Sequence, residues 1–312
     1  MPVPAVAVVA PLTGPRTAAG TVLLAEVDRI RGGAPGTADW QVFRETPDVA
    51  HAVAAGDYSA VVGHTDPSVA DGALDVYHRA GLTCLLPLLP GRAPALSWAP
   101  DETRLARALA DAALALGATA LTVAYDDDHG STALAGPLAA RTRATGLAVR
   151  TDGGTADGPP VASAVSGHDP GGAQAGAVLA LLAPQHRLPA LLRAREGEPW
   201  RAVLVVADCG LPSFDALVAA AVRLPVWAVH PEPCLIRRTR AAVASLAAAL
   251  AEDPSLRGAR LAARVLSRSA LLLGPGGGLL GEGRRVSRLS AVCPIRAAAR
   301  EDALTAPHAP AL

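Results

Sequence analysis

The sequence predicts an α/β protein with mainly parallel sheets and helices on both faces, and three observations carry that expectation. Short apolar runs at residues 6–9, 120–125 and 203–207 have the length and composition of strands buried on both faces. Longer stretches between them carry apolar residues at helical spacing, with Gly or Pro at their boundaries. The two kinds of segment alternate over most of the 312 residues, as strand–crossover–strand units require.

Residues 6–9 form the first strand and PLTGP the loop after it. Residues 17–30 carry Val22, Leu23, Val27 and Ile30 at helical spacing and close on Gly32-Gly33. A strand follows at 40–43. Thr46-Pro47-Asp48 then opens a helix that Gly56 stops. Residues 61–90 read as strand, loop, helix and second strand, and 96–100 as a crossing into a second lobe. Asp101-Glu102 start a helix with Leu105, Leu109, Ala112 and Leu116 on one face, ending at Gly117. The strand at 120–125 runs into DDDHG. Pro137 fits badly inside a helix beginning at Ser131, which places that helix start near Gly136-Pro137. Val149 ends the next unit, and residues 151–173, rich in Gly, Pro, Ala and Asp, are expected to be the least structured. Residues 176–195 read as a helix interrupted at Pro184, 203–207 as a strand and 214–223 as a helix. A strand at 225–229 closes on His230-Pro231-Glu232. Two Ala/Leu/Arg helices at 237–251 and 256–273, a Gly-rich turn and a strand at 289–293 complete the fold, with a disordered tail expected from residue 300.

Composition excludes several function classes. Formal net charge is zero, so nothing favours nucleic acid or an anionic membrane as partner. Lys and Asn are absent and Met occurs only as Met1. These residues share A-rich codons, so the pattern points to a GC-rich genome rather than to arginines chosen for phosphate. Cys84, Cys209, Cys234 and Cys293 are widely spaced, which implies neither zinc nor a disulfide framework. Cys84 and Cys293 lie in apolar runs, as inert core thiols do. No cationic segment precedes an apolar one with a cleavage site, and no apolar run is long enough to span a bilayer. With Met1 as the start, a cytoplasmic location is expected. GGGLLG at 276–281 matches a dinucleotide fingerprint only literally, since no defined strand precedes it and no helix follows. There is no P-loop, G-x-S-x-G or H-E-x-x-H, and no cofactor is expected.

Residues 61–90, VVGHTDPSVADGALDVYHRAGLTCLLPLLP, place a loop at the carboxyl end of a strand, where open α/β sheets bind small molecules. Ser68 stands at the helix N-cap in this reading, with Asp71 three residues on as a capping-box-like pair. The Gly-His start, the Asp-Val-Tyr helix end, the Ala-Gly turn and the strand closing on Pro87 resemble the leucine/isoleucine/valine-binding family of type I periplasmic binding proteins. PLTGP and its helix with a Gly-Gly end are similar to that family's opening. The resemblance covers residues 5–235. It implies two Rossmann-like lobes with a hinge: residues 1–98 and 235–299 as lobe 1, 99–234 as lobe 2, and 300–312 as tail. The region after 235 is shorter than usual in the family, so lobe 1 is trimmed or is completed by a protein partner or second copy.

In that family an amino acid lies in the cleft between the lobes, with hydroxyls and N–H groups of lobe 1 on its carboxylate and an acid of lobe 2 on its ammonium. The resemblance places Ser68 at the first-lobe position, a role compatible with N-capping. A second hydroxyl is expected near Leu88 to Pro90, but this chain has none, and Pro90 lacks an N–H. An amide, ester or non-amino-acid ligand fits that departure better. Glu232 falls at the ammonium-binding acid, against the alternative of a solvated loop glutamate. His129 stands where the family often has an aromatic over the ligand. Asp208, before Cys209 and Gly210, and His64, after Gly63, are further cleft candidates. Asp126, Asp127 and Asp128 resemble an acidic loop of the family; no other ligands surround them, so no metal is expected.

The leading expectation is a cytoplasmic binding protein or sensor that closes its lobes around an amino acid, amide or amine metabolite. An exported ABC-transporter substrate-binding protein is the first alternative. A hydrolase or lyase using His129, Asp208, Cys209 or Glu232 is the second.

Overall fold

Parallel strands follow from the apolar runs, and the computed structural model shows them within residues 3–91, 95–153, 176–221, 225–232, 234–273 and 288–294, which are the residues described. In chain order the elements are β1 (Ala5–Ala10), α1 (Thr17–Gly33), β2 (Asp39–Arg44), α2 (Val49–Ala54), β3 (Tyr58–Gly63), α3 (Pro67–Arg79), β4 (Thr83–Leu86) and β5 (Leu96–Ser97). Then come α4 (Glu102–Ala115), β6 (Ala120–Tyr125), α5 (His129–Ala144), β7 (Ala148–Gly153), β8 (Ala177–Leu182), α6 (Leu188–Ala194), β9 (Ala202–Val206) and α7 (Ser213–Ala220). The last are β10 (Val226–Glu232), α8 (Leu235–Glu252), α9 (Gly258–Leu273) and β11 (Arg288–Pro294).

The chain divides into two units. The first takes the described residues up to Asp101, Cys209–Leu211, and those from Pro231 to Leu289; the second takes Glu102–Asp208, Pro212–His230 and the described residues from Ser290.

In the first unit the strand order is β2-β1-β3-β4-β5, with every neighbouring pair parallel. Successive side chains of a strand point to opposite faces. Val6, Val8 and Ala10 therefore pack with Leu23 and Val27 of α1, Leu246 and Leu250 of α8, and Val265 of α9. Ala7 and Val9 pack the other way, with Val49 and Val53 of α2 and Leu74 and Tyr77 of α3. Covering both faces is what makes β1 apolar throughout. The returning chain is tied in by polar contacts as well: Arg240 of α8 donates to both Glu26 carboxylate oxygens at 2.9 and 3.0 Å, and the Thr83 hydroxyl donates to Gly258 O at 2.8 Å.

The second unit's sheet has the order β11-β10-β9-β8-β6-β7, and β7, β6, β8, β9 and β10 pair in parallel. Leu179, Leu181, Val203 and Val205 bury one face against Leu188 and Leu192 of α6 and Leu217 of α7.

Three expectations are corrected. Residues 177–182, read as part of a helix, are the central strand β8, buried at all six positions. Ala and Leu are good helix formers, but a slot between two parallel strands overrides local preference. Helix α5 starts at His129, not near Pro137, and runs through that proline. The burial of Leu134, Ala135, Leu138 and Ala139 on its inner face offsets the lost hydrogen bond. The N-cap of α3 is Asp66, with Pro67 at the first helical position, so Ser68 is not the cap. Residues 154–175, the GGGLLG turn and the tail from 300 lie outside the described residues.

Candidate functional site

Parallel pairing brings the carboxyl ends of β1, β2 and β3 to one edge of the first sheet. β3 ends at Gly63, whose φ of +144° and proximity to Val9 exclude a side chain: a Cβ there would lie 2.0 Å from the Val9 carbonyl oxygen. His64 follows with φ +68°, a left-handed conformation uncommon outside glycine and held only by surrounding contacts. Its side chain is fully enclosed. Nδ1 lies 3.1 Å from Glu45 Oε1 and Nε2 lies 3.1 Å from the Tyr77 hydroxyl. With Nδ1–H donating to Glu45, Nε2 accepts from Tyr77 O–H, and all three side chains are satisfied.

Glu45, just beyond β2, organises the loop. Its carboxylate also accepts from Thr65 N at 2.9 Å, the Thr65 hydroxyl at 2.7 Å and Asp66 N at 3.1 Å. Burial pushes the Glu45 carboxyl up, but the hydrogen bonds from His64, Thr65 and Asp66 outweigh it and hold the group below the usual range. Burial, with Cys84 and Glu45 nearby, pushes the Tyr77 phenol well above its ordinary value, so it stays protonated. Burial likewise pushes the Cys84 thiol up to about 12, as suits a core residue.

Asp66 is the next acid. Its Oδ1 accepts from Ser68 N at 3.0 Å and from the Ser68 hydroxyl at 2.7 Å. Its Oδ2 is paired with Arg16 at the start of α1. Partial burial opposes ionisation of Asp66, yet Ser68, Arg16 and the Val69 N–H together hold its carboxyl below the ordinary range. Near Leu88–Pro90, where the sequence offers no hydroxyl, the buried Ser97 hydroxyl donates to Leu89 O at 2.7 Å.

The second unit has its own acid-rich loop at the carboxyl end of β6. Asp126 is buried and forms an ion pair with Arg187 at 2.6 Å. Burial first, and then the adjoining Asp127, outweigh Arg187 and hold the Asp126 carboxyl above its ordinary value. Asp128 caps α5, accepting from Gly130 N at 3.0 Å and from the Ser131 hydroxyl. His129 is the first residue of that helix and is exposed. Past β9, Asp208 N donates to Gln185 Oε1 at 2.7 Å and Gln185 Nε2 donates back to Asp208 O at 3.1 Å. This amide pairing fixes the backbone that carries Asp208. Cys209 is exposed.

Of the five residues singled out in sequence, Ser68 stands on the exposed rim of the first unit's loop, while His64 lies beneath it. His64 is therefore a support of the loop; neither ring nitrogen is open to a ligand. His129 and Asp208 belong to the second unit. Glu232 ends β10, and its side chain lies outside the described residues. Sequence reading missed Glu45, Asp66, Arg16 and Tyr77. Asp-Pro-Ser was a legible signal for Asp66, since Pro favours the position just after an N-cap. Glu45, remote in sequence from His64, carried none. Among the described residues no group of His, Cys, Asp and Glu is arranged to hold a metal, and no helix is long and apolar enough to cross a membrane.

No family model and no curated protein matches this sequence. Solved structures do match. A leucine-binding protein LivK from Thermotoga maritima MSB8 superposes with a TM-score of 0.68 at 14% identity, over 84% of this chain and 87% of that one. An ABC transporter substrate-binding protein from Desulfitobacterium hafniense, in complex with Leu, gives 0.66 at 18% identity over 93% and 96%. A possible leucine/isoleucine/valine-binding protein from Rhodopirellula baltica SH 1 gives 0.62 at 13% over 95% and 90%. At these identities the likeness is one of fold: the chain has the two-lobed α/β fold of type I periplasmic binding proteins.

Proposed function

We propose, proceeding from the fold shared with leucine-binding proteins, that this chain is a substrate-binding protein of the ABC-transporter kind for a small polar molecule of the amino-acid class. The observation that carries the reading is the near end-to-end likeness to such receptors, one of them holding leucine. It favours a transport receptor over the cytoplasmic sensor expected from sequence. The loops at the carboxyl ends of β3, β6, β9 and β10 supply the candidate contacts: Ser68, His129, Asp208 and Glu232. Glu232 is assigned to a ligand ammonium, with which a carboxylate makes charge-assisted hydrogen bonds.

The test is a thermal-shift screen of amino acids, their amides and amine metabolites, with mass spectrometry of the same wells. A ligand at about a hundred times its Kd adds about 2.7 kcal/mol to the stability of the native state. A stabiliser recovered unaltered supports a receptor; a hit converted to product would instead support an enzyme. Glu232→Gln is expected to weaken the hit about ten- to a hundred-fold. Fractionation of native cells separates the two versions of the reading, since a transport receptor works outside the cytoplasmic membrane and a sensor within.

A further inference from the structure

The main-chain donors of the β3–α3 loop can be followed one by one. His64 N donates to Val9 O at 3.3 Å, and Thr65 N and Asp66 N donate to Glu45. Pro67 has no N–H. Ser68 N and Val69 N donate to the Asp66 carboxylate, and Ala70 N donates to Asp66 O at 2.9 Å. The Ser68 hydroxyl and the Arg16 guanidinium also point to that carboxylate. A helix start of this length ordinarily offers free N–H groups and partial positive charge to an anion. Here the protein's own Asp66 already takes both, together with the nearest cation. The lone pairs of Ser68 Oγ and the outer lone pairs of Asp66 are reachable from solvent, beside an arginine already paired to that carboxylate.

We infer that Asp66 sets ligand class, occupying in advance the place a ligand carboxylate would take, so that the first unit selects a ligand presenting N–H donors, a primary amide or an amine without a free carboxylate. The inference rests on the receptor reading above and deepens it. A ligand carboxylate would meet Asp66 as a like charge and would have to strip it of Ser68 and Arg16. An amide NH₂ or ammonium group would instead donate to Ser68 Oγ and Asp66 without disturbing either. Asp66 is thus a specificity-determining residue, and Arg16 is the cation it keeps from the ligand.

The experiment measures Kd by calorimetry for leucine, leucinamide and 3-methylbutylamine, and for the free acid, amide and amine of any other hit in the screen. The wild-type protein and Asp66→Asn are compared. Asn caps a helix about as well as Asp, so the variant removes the charge and frees Arg16 while keeping α3 anchored. The tightest wild-type ligand is expected to lack a carboxylate, with the amide at least about tenfold ahead of the acid. In Asp66→Asn the acid should gain at least about tenfold on the amide. A free amino acid that binds the wild type tightest, or a variant that moves acid and amide alike, overturns the inference and leaves the receptor reading standing. No binding by any member of the panel overturns the receptor reading and this inference with it. Should the variant fail to fold, the wild-type ranking of acid against amide decides.

Discussion

The two units carry comparable loops built to opposite electrostatic ends. Each places an aspartate at a helix N-cap, Asp66 before α3 and Asp128 before α5, with a hydroxyl donating to it from Ser68 or Ser131. Each adds a second buried acid, Glu45 in one and Asp126 in the other. Each also holds an arginine against an aspartate, Arg16 on Asp66 and Arg187 on Asp126. The donors make the difference. Glu45 collects an imidazole, a hydroxyl and two backbone N–H groups and is held ionised. Asp126 has one arginine, the backbone N–H of Asp127 and an acidic neighbour, and burial with that neighbour holds its carboxyl up. Burying an acid does not by itself determine its charge; the number of protons aimed at it does. The histidines follow the same division, with His64 enclosed as a strut and His129 exposed on its helix.

Glycine offers the sharpest way to break the comparison. Gly63→Ala should cost at least about 4 kcal/mol, because the new methyl meets backbone that cannot yield, at a φ closed to L residues. Gly130→Ala meets only Asp128 Oδ1 at 3.4 Å and should be neutral, or stabilise by up to about 1 kcal/mol. Urea midpoints of both variants would show the contrast; equal effects would remove it. Next in size, Glu45→Ala leaves the donors of His64, Thr65 and Asp66 without their acceptor and should cost about 3 kcal/mol.

Acid titration should show the opposite signs directly. Glu45 and Asp66 have folded pKa values below their unfolded ones. Their contribution is present above the unfolded values, near 4, and is lost as pH falls through the folded ones. Asp126 is raised, so its term runs the other way and partly offsets the loss. Stability followed from about pH 6 to pH 3 should therefore decline. The decline should be shallower in Glu45→Gln and steeper in Asp126→Asn. Identical slopes in both variants would contradict the assignment. The smallest expected effect is at the caps, where Asp66→Ala and Asp128→Ala should each cost about 1 kcal/mol.

Much of this fold could be read in the sequence because parallel strands covered on both faces leave apolar runs that need no partner to be recognised, as at residues 6–9, 120–125 and 203–207. The misreading of residues 177–182 has the same root: AVLALL is equally suited to a buried helix, and only its place between β6 and β9 makes it a strand. Helix α5 starts well before Pro137 because Asp128 is a satisfied N-cap, which begins a helix whatever follows nine residues on. The site was less legible. Ser68, His129 and Asp208 follow the carboxyl ends of β3, β6 and β9, where the register of the sequence placed them. Glu45 and Tyr77 act on His64 across 19 and 13 residues of chain. Nothing local to any of the three announces that contact.

The first unit's sheet is made from the first hundred residues, yet the helix that covers Leu23 and Val27, and the arginine that meets Glu26, arrive only with α8. Synthesis thus leaves one apolar face of β1, β3 and β4 with only α1 of its covering helices while all of α4 to α7 is being made. At roughly 5–20 residues per second, that exposure lasts on the order of 10 s. The unit inserted at Glu102 has most of its own strands and helices by then and can fold while its host waits. A chain cut short near residue 232 would lack β11 of the second unit's sheet as well as α8 and α9, which pack on the first. The last helices of this chain therefore decide whether its first strands survive.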